Sequence, residues 1–275
     1  MQPLSSAVRR TYLIVLSVFF VALIPLVILY AEGWRFSPEL GMYKTGGVFI
    51  TVPYTDVTVT LQGEEIGTTG FLQRTFYIDD LAPATYVIRA SREGYYPWER
   101  MVVVEPKIVT DTRVLLAPLE IERTQLVLSG TSTGMRIVTS DTLATYRILF
   151  ATSTTASSTI PVDMQDGVGL FIDGGNLIAR WIDEDRPVPS NFCVRPLSCV
   201  TEVLLERDPN PVLSASFFAG GVLYRIKDSG IFFAEMDARP TPRIVRIDTD
   251  PVSDYRIIDG MLIVKEGSAY FHLDL

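Results

Sequence analysis

Histidine occurs once in the 275 residues, as His272, and cysteine twice, as Cys193 and Cys199. One imidazole and two thiols are a thin stock for metal ligation or nucleophilic catalysis, which need a base beside a Ser or Cys, or three to four soft ligands. His272 stands in Ala-Tyr-Phe-His-Leu-Asp-Leu, whose alternation predicts a terminal strand with the imidazole on one face. No cluster of Lys and Arg occurs, and the 24 basic residues are outnumbered by 32 acidic ones, for a net charge of −8. That balance argues against nucleic acid and anionic lipid headgroups as partners. Nothing in the composition calls for a cofactor, so none is expected. Paired carboxylates brought together from distant strands stay open, because spacing in sequence does not reveal them.

Charge is missing altogether from Thr11 to Ala31, TYLIVLSVFFVALIPLVILYA. About 20 consecutive apolar residues span a bilayer core of about 30 Å as a helix. The apolar core of a cleaved signal peptide is usually shorter, at about 7–15 residues, so an uncleaved anchor is the better reading. Arg9 and Arg10 precede the run and Glu32 follows it, which predicts a cytoplasmic N-terminus and an exported remainder. The expected localisation is therefore the cell membrane, single-pass, with residues 1–10 a cytoplasmic tail and 11–31 the span. Residues 32–45 follow as a juxtamembrane linker in which Trp34, Phe36 and Tyr43 suit the lipid–water interface. In an exported chain the Cys193/Cys199 pair, with five residues between its members, reads as a disulfide that pins a local loop.

From Gly46 onward the apolar pattern has period two. Short β-branched and aromatic runs at 48–52, 57–61, 72–78, 85–90, 98–104 and 109–116 are each bounded by Gly, Pro or Asp. This predicts an antiparallel β-sandwich over 46–118. Within it, Thr45-Gly46-Gly47-Val48-Phe49-Ile50, Pro53, Val57-Thr58-Val59, Gly67-Thr68-Thr69, Leu81-Ala82-Pro83-Ala84-Thr85-Tyr86 and Glu93-Gly94-Tyr95 succeed one another in an order that resembles a PEGA domain. Two positions depart from the family pattern. Pro53-Tyr54-Thr55-Asp56 lacks the Glu-Gly-Ala that names the family, and Ala84 stands where Gly is usual. The resemblance implies an extracytoplasmic sandwich beside a membrane anchor, in envelope or surface-layer proteins, with no catalytic residues to carry over. Tyr95, Tyr96 and Trp98 form the most aromatic point of this region. They suit either a sugar-stacking platform or alternate burial across a strand.

Residues 119–275 carry looser repeats. Gly134, Gly175, Gly221 and Gly260 each precede an apolar run, at spacings of 41, 46 and 39. Periods near 40–45 with several strands per unit are the pattern of propeller blades. About 156 residues fall short of four such blades, and pairing of residues 125–128 with the last strand offers one way to close the ring. A Ser/Thr-rich stretch, 152–159, reads as a loop, and Asp183-Glu184-Asp185 as a solvated acidic loop rather than a calcium site. The expected fold class is thus all-β: a small β-sandwich plus propeller-like antiparallel repeats, preceded by one transmembrane helix. The expected function is a membrane-anchored, extracytoplasmic, non-catalytic module that binds wall polysaccharide or a surface protein. The alternatives are a propeller-type carbohydrate-active hydrolase and a tethered subunit of an envelope complex.

Overall fold

The computed structural model describes residues 6–39, 41–129, 134–151, 159–207, 209–240, 242–249 and 253–275. It is mostly β, in several largely antiparallel sheets, with one apolar helix at its N-terminal end. That helix, α1 (Ser6–Ala31), begins earlier than the charge-free run and takes in Arg9 and Arg10. Within Val8–Ala31 an 18-residue window has a mean hydropathy of 2.9, and none of that window packs inside the protein. At 1.5 Å per residue Val8–Ala31 is about 36 Å long, enough to cross about 30 Å of hydrocarbon.

The linker that follows is folded rather than extended. β1 (Trp34–Ser37) and β2 (Gly41–Lys44) form an antiparallel hairpin, with Arg35 opposite Tyr43 and Phe36 opposite Met42. Arg35 makes this hairpin a clamp. Its Nη1 donates to the carbonyl of Tyr30 in the last turn of α1 (3.0 Å), and its guanidinium carbon lies 3.9 Å from the Tyr30 ring centroid. Its Nη2 donates to both carboxylate oxygens of Asp80, each at 2.7 Å. A cation at a helix C-terminus meets the carbonyls left without intrahelical partners.

Seven strands build the first β region: β3 (Gly46–Thr51), β4 (Thr58–Leu61), β5 (Glu64–Thr68), β6 (Thr75–Leu81), β7 (Thr85–Ser91), β8 (Trp98–Val103) and β9 (Val109–Arg113). They form two sheets in the orders β6-β3-β9 and β5-β4-β7-β8, antiparallel except for the β3–β9 pair. Alternate side chains point into a shared core of Val48, Ile50, Val59, Ile88, Trp98 and Val102, among others. The two sheets thus face one another across this core, as the alternation predicts. Asp80, in β6, has φ 58°, where the register with β3 shifts and a bulge forms.

The second region contains β10 (Glu122–Val127), β11 (Met135–Ile137), α2 (Ser140–Ala151), β12 (Asp163–Gln165), β13 (Val168–Asp173), β14 (Asn176–Trp181), β15 (Cys193–Arg195), β16 (Ser198–Cys199), β17 (Glu202–Glu206), β18 (Val212–Phe218), β19 (Gly221–Ile226), β20 (Gly230–Ala234), β21 (Ile244–Asp248), β22 (Asp254–Ile258), β23 (Met261–Glu266) and β24 (Ala269–Asp274). Its main sheets are β12-β13-β14-β17, β18-β19-β20-β21 and β11-β10-β24-β23-β22. The third is completed from both ends of the region: β10 lies antiparallel to β24, with Gln125 opposite Phe271. The repeat is offset from the glycine spacing read in the sequence. The first and second strands of the three sheets are joined at Asp166-Gly167, Ala219-Gly220 and Asp259-Gly260, with φ of 50° and 83°, 47° and 84°, and 52° and 75°. Two successive positive φ values are the mark of a type I′ hairpin, whose twist matches that of its strands. Gly175 instead belongs to the next turn of the first sheet, and Gly134 precedes β11, which adds in parallel at an edge. The first strands converge: Asp163, Ser214, Ser216 and Tyr255 line a common cavity of about 480 Å³. Of the Ser/Thr-rich stretch, residues 152–158 lie outside the described residues.

Candidate functional site

The segment after β20 is where the two β regions meet. Glu235, Asp237 and Arg239 are all buried although charged, and so is Arg100 of β8. Arg100 pairs with Glu235 through Nη2 and donates from Nη1 to the Pro240 carbonyl (3.1 Å). Trp98 Nε1 donates to the other Glu235 oxygen (3.1 Å), and the backbone N–H of Arg243 donates to Oε2 (3.2 Å). Arg239 holds Asp237 in a fork, Nε to Oδ1 at 2.8 Å and Nη2 to Oδ2 at 2.6 Å, and reaches the Asp111 carbonyl of β9 from Nη1 (3.2 Å). Buried charges are tolerated when paired and hydrogen-bonded in this way. Burial pushes the Glu235 carboxyl above its usual range, against the opposing pull of Arg100, the Arg243 N–H and Trp98.

Beside this network lies a cleft of about 380 Å³, within the range of small-ligand sites. Arg113 of β9, Gln165 and Asp166 at the β12–β13 turn, Asn191 and Phe217 of β18 line it, together with Glu235, Asp237 and Arg239 of the buried network. The hairpin turn matters here. With Asp166 and Gly167 both at positive φ, the chain reverses tightly at the cleft's edge. Asn191 is fixed by donating from Nδ2 to the Met236 carbonyl (3.0 Å), and Ser190 donates to Asp111 Oδ2 (3.1 Å). The cleft therefore offers guanidinium, amide and carboxylate groups beside an aromatic side chain.

The aromatic triplet read in the sequence does not present one face. Trp98 is 1% exposed and lies in the sandwich core, so its ring offers no surface to a ligand. Tyr95 packs against Tyr54 with centroids 6.2 Å apart and sits under Arg92. Tyr96 is 39% exposed, with the Arg243 guanidinium 5.9 Å from its ring centroid. What the sequence reading missed is that Trp98 and Arg100 share the inward face of β8 and meet a carboxylate 135 residues or more away. No local signal marks that partner.

Cys193 and Cys199 form a disulfide that closes the β15–β16 hairpin. In the acidic loop, Asp183 accepts from Arg186 Nε (2.6 Å) and from the Asp185 N–H (3.1 Å), and the Arg186 contact holds its carboxyl below the usual range. Among the described residues, no three His, Cys, Asp or Glu side chains group closely enough to hold a metal. His272 lies on β24, 3.6 Å from the Asp274 carboxylate. A Gly-x-Ser-x-Gly stretch occurs at 130–134. Residues 130–133 lie outside the described residues, and the elements on either side are β10 and β11, not the strand and helix that the nucleophile motif requires. No protein-family model matches the chain, and no curated protein is similar to it.

Proposed function

We propose that this chain is a membrane-anchored, extracytoplasmic, non-catalytic module whose junction cleft binds a glycan segment of the cell envelope. The cleft carries this reading: Arg113, Gln165, Asp166 and Asn191 bring hydrogen-bond donors and acceptors to a cleft that Phe217 also lines. Sugars present hydroxyls that donate and accept, together with a ring whose C–H face lies well against an aromatic surface. In support of the placement, Arg9 and Arg10 precede the charge-free run of α1 and Glu32 directly follows it, which favours a cytoplasmic N-terminus. The disulfide suits an oxidising compartment. We take residues 46–118 as a PEGA-like domain from the order of its motifs, and the three meander sheets beyond as a small three-bladed propeller closed by β10. Glu235, whose burial favours the protonated form as in a general acid, has both oxygens taken by Trp98, Arg100 and Arg243. The cleft is thus read as a binding site rather than a hydrolase centre.

The test is titration of the full chain in lipid nanodiscs with soluble glycan fragments released from the source cell's wall. Arg113→Ala and Asp166→Asn are expected to weaken binding at least tenfold each while leaving the melting temperature within about 3 °C, since both sit at the surface. Binding unchanged by both substitutions would overturn the assignment to this cleft.

A further inference from the structure

A two-sheet sandwich has two open sides, and here they differ. At the β8/β9 side two backbone carbonyls are met by side chains of the same chain. Thr110 Oγ1 donates to the Val103 carbonyl (2.7 Å), and Arg239 to the Asp111 carbonyl. At the β5/β6 side, β5 carries Glu64 and Glu65, exposed charges of the kind that blunt an edge. β6 is different. It pairs only with β3. The bond from Val52 N–H to the Arg74 carbonyl fixes which β6 residues face β3. By alternation, Phe76 and Ile78 bond to β3, while the N–H and C=O groups of Thr75 and Tyr77 point away from it. No described residue bonds to those outward groups. The bulge at Asp80 protects the other end of the strand. Immediately before the open half, a turn closed by Gly70 N–H to the Gln73 carbonyl presents Phe71 and Leu72, 84% and 93% exposed.

We infer that the open half of β6 receives an extended segment of another polypeptide, added as a further strand whose apolar end lies on Phe71 and Leu72. Backbone groups repeating every second residue select an extended chain, because no other ligand matches their spacing. Glu64, Glu65 and Asp79 outnumber Arg74 on this side, and the whole chain carries −8, so a neutral or basic segment suits it better than a second copy. The Phe71–Leu72 tip supplies apolar area and the edge supplies register. This surface is separate from the junction cleft, and the inference does not depend on glycan binding.

The experiment is residue-resolved amide hydrogen exchange on the full chain, in membranes of the source cell and purified in nanodiscs. The Thr75 and Tyr77 amides are expected to exchange at least tenfold more slowly in the native membrane, with Phe76 unchanged. Phe71→Ser/Leu72→Ser should abolish the slowing, and as both side chains are solvent-facing the variant should keep its fold. Equal rates for Thr75 and Tyr77 in both settings would overturn the inference. So would slowing that appears when the purified chain alone is concentrated, which would mean self-pairing. Slowing on addition of wall glycan fragments would overturn it as well, by identifying a sugar rather than a strand.

Discussion

Glu235 shows how a single buried carboxyl ties two β regions together and what that costs. Its pKa is raised in the folded chain, chiefly by burial. A proton is therefore held more tightly in the folded than in the unfolded state. The favourable contribution is complete below the ordinary carboxylate range and is lost as the pH rises through the raised value. Glu235→Gln removes that titration. Relative to the wild type, its stability is expected to rise as the pH is raised from about 4 towards neutrality, measured by denaturant unfolding across the series. A difference that stays flat with pH would mean that Glu235 does not titrate with folding. Glu235→Ala should instead destabilise by about 3–5 kcal/mol at neutral pH, because Arg100 is left buried without its partner. At the same scale, Cys193→Ser/Cys199→Ser opens a seven-residue ring, and loop-closure entropy sets the loss at about 2 kcal/mol. Residues such as these were only partly legible in the sequence. The cysteine pairing followed from their being the only two, in a chain read as exported. The burial of Arg100 did not, because a Trp-x-Arg-x-Val strand fixes which side chains share a face and not what waits beyond that face.

Among the elements, the β1–β2 hairpin changes the picture most. A stretch with Pro38 and Gly41 reads as a plain linker, but Arg35 joins the helix end, the hairpin and β6 in one cluster. Asp80 raises the Arg35 pKa, so the clamp stays charged at any physiological pH. Arg35→Gln is expected to broaden the distribution of distances between spin labels at the end of α1 and on the sandwich, with little change in unfolding midpoint, since an exposed ion pair contributes little stability. An unchanged distribution would mean that the helix is held by other contacts. Strand assignment from alternation found the strands with one buried face, although β6 lies three residues beyond the run read at 72–78 and leaves Leu72 in the turn before it, and it failed where neither face is buried. Glu64–Thr68 forms β5 as an exposed edge, and its residues carry no apolar period. α2 also went unread. Its signals were present, with Thr139 Oγ1 accepting from the Thr142 N–H as an N-cap and Tyr146 and Phe150 buried one turn apart, but they are brief beside the surrounding β pattern.

At the scale of the whole molecule, the organisation follows from a few long-range closures. β10 pairs with β24 across almost the full length of the second region, and the Glu235–Arg243 segment seals one side of the sandwich. Both are tertiary facts. The sequence could place the closing strand near residues 125–128 only because a sheet of repeats must end somewhere. It could not place the cleft, whose walls come from β9, the β12–β13 turn and β18. In the function proposed above, this cleft binds envelope glycan for a chain held in the membrane by α1. The most direct measurement is co-sedimentation of the full chain, in nanodiscs, with isolated wall polymer, comparing wild type, Arg113→Ala and Asp166→Asn. The wild type is expected to pellet saturably, with affinity at least tenfold lower for either variant. Absence of pelleting by the wild type at high protein concentration, or pelleting indifferent to both substitutions, would contradict it.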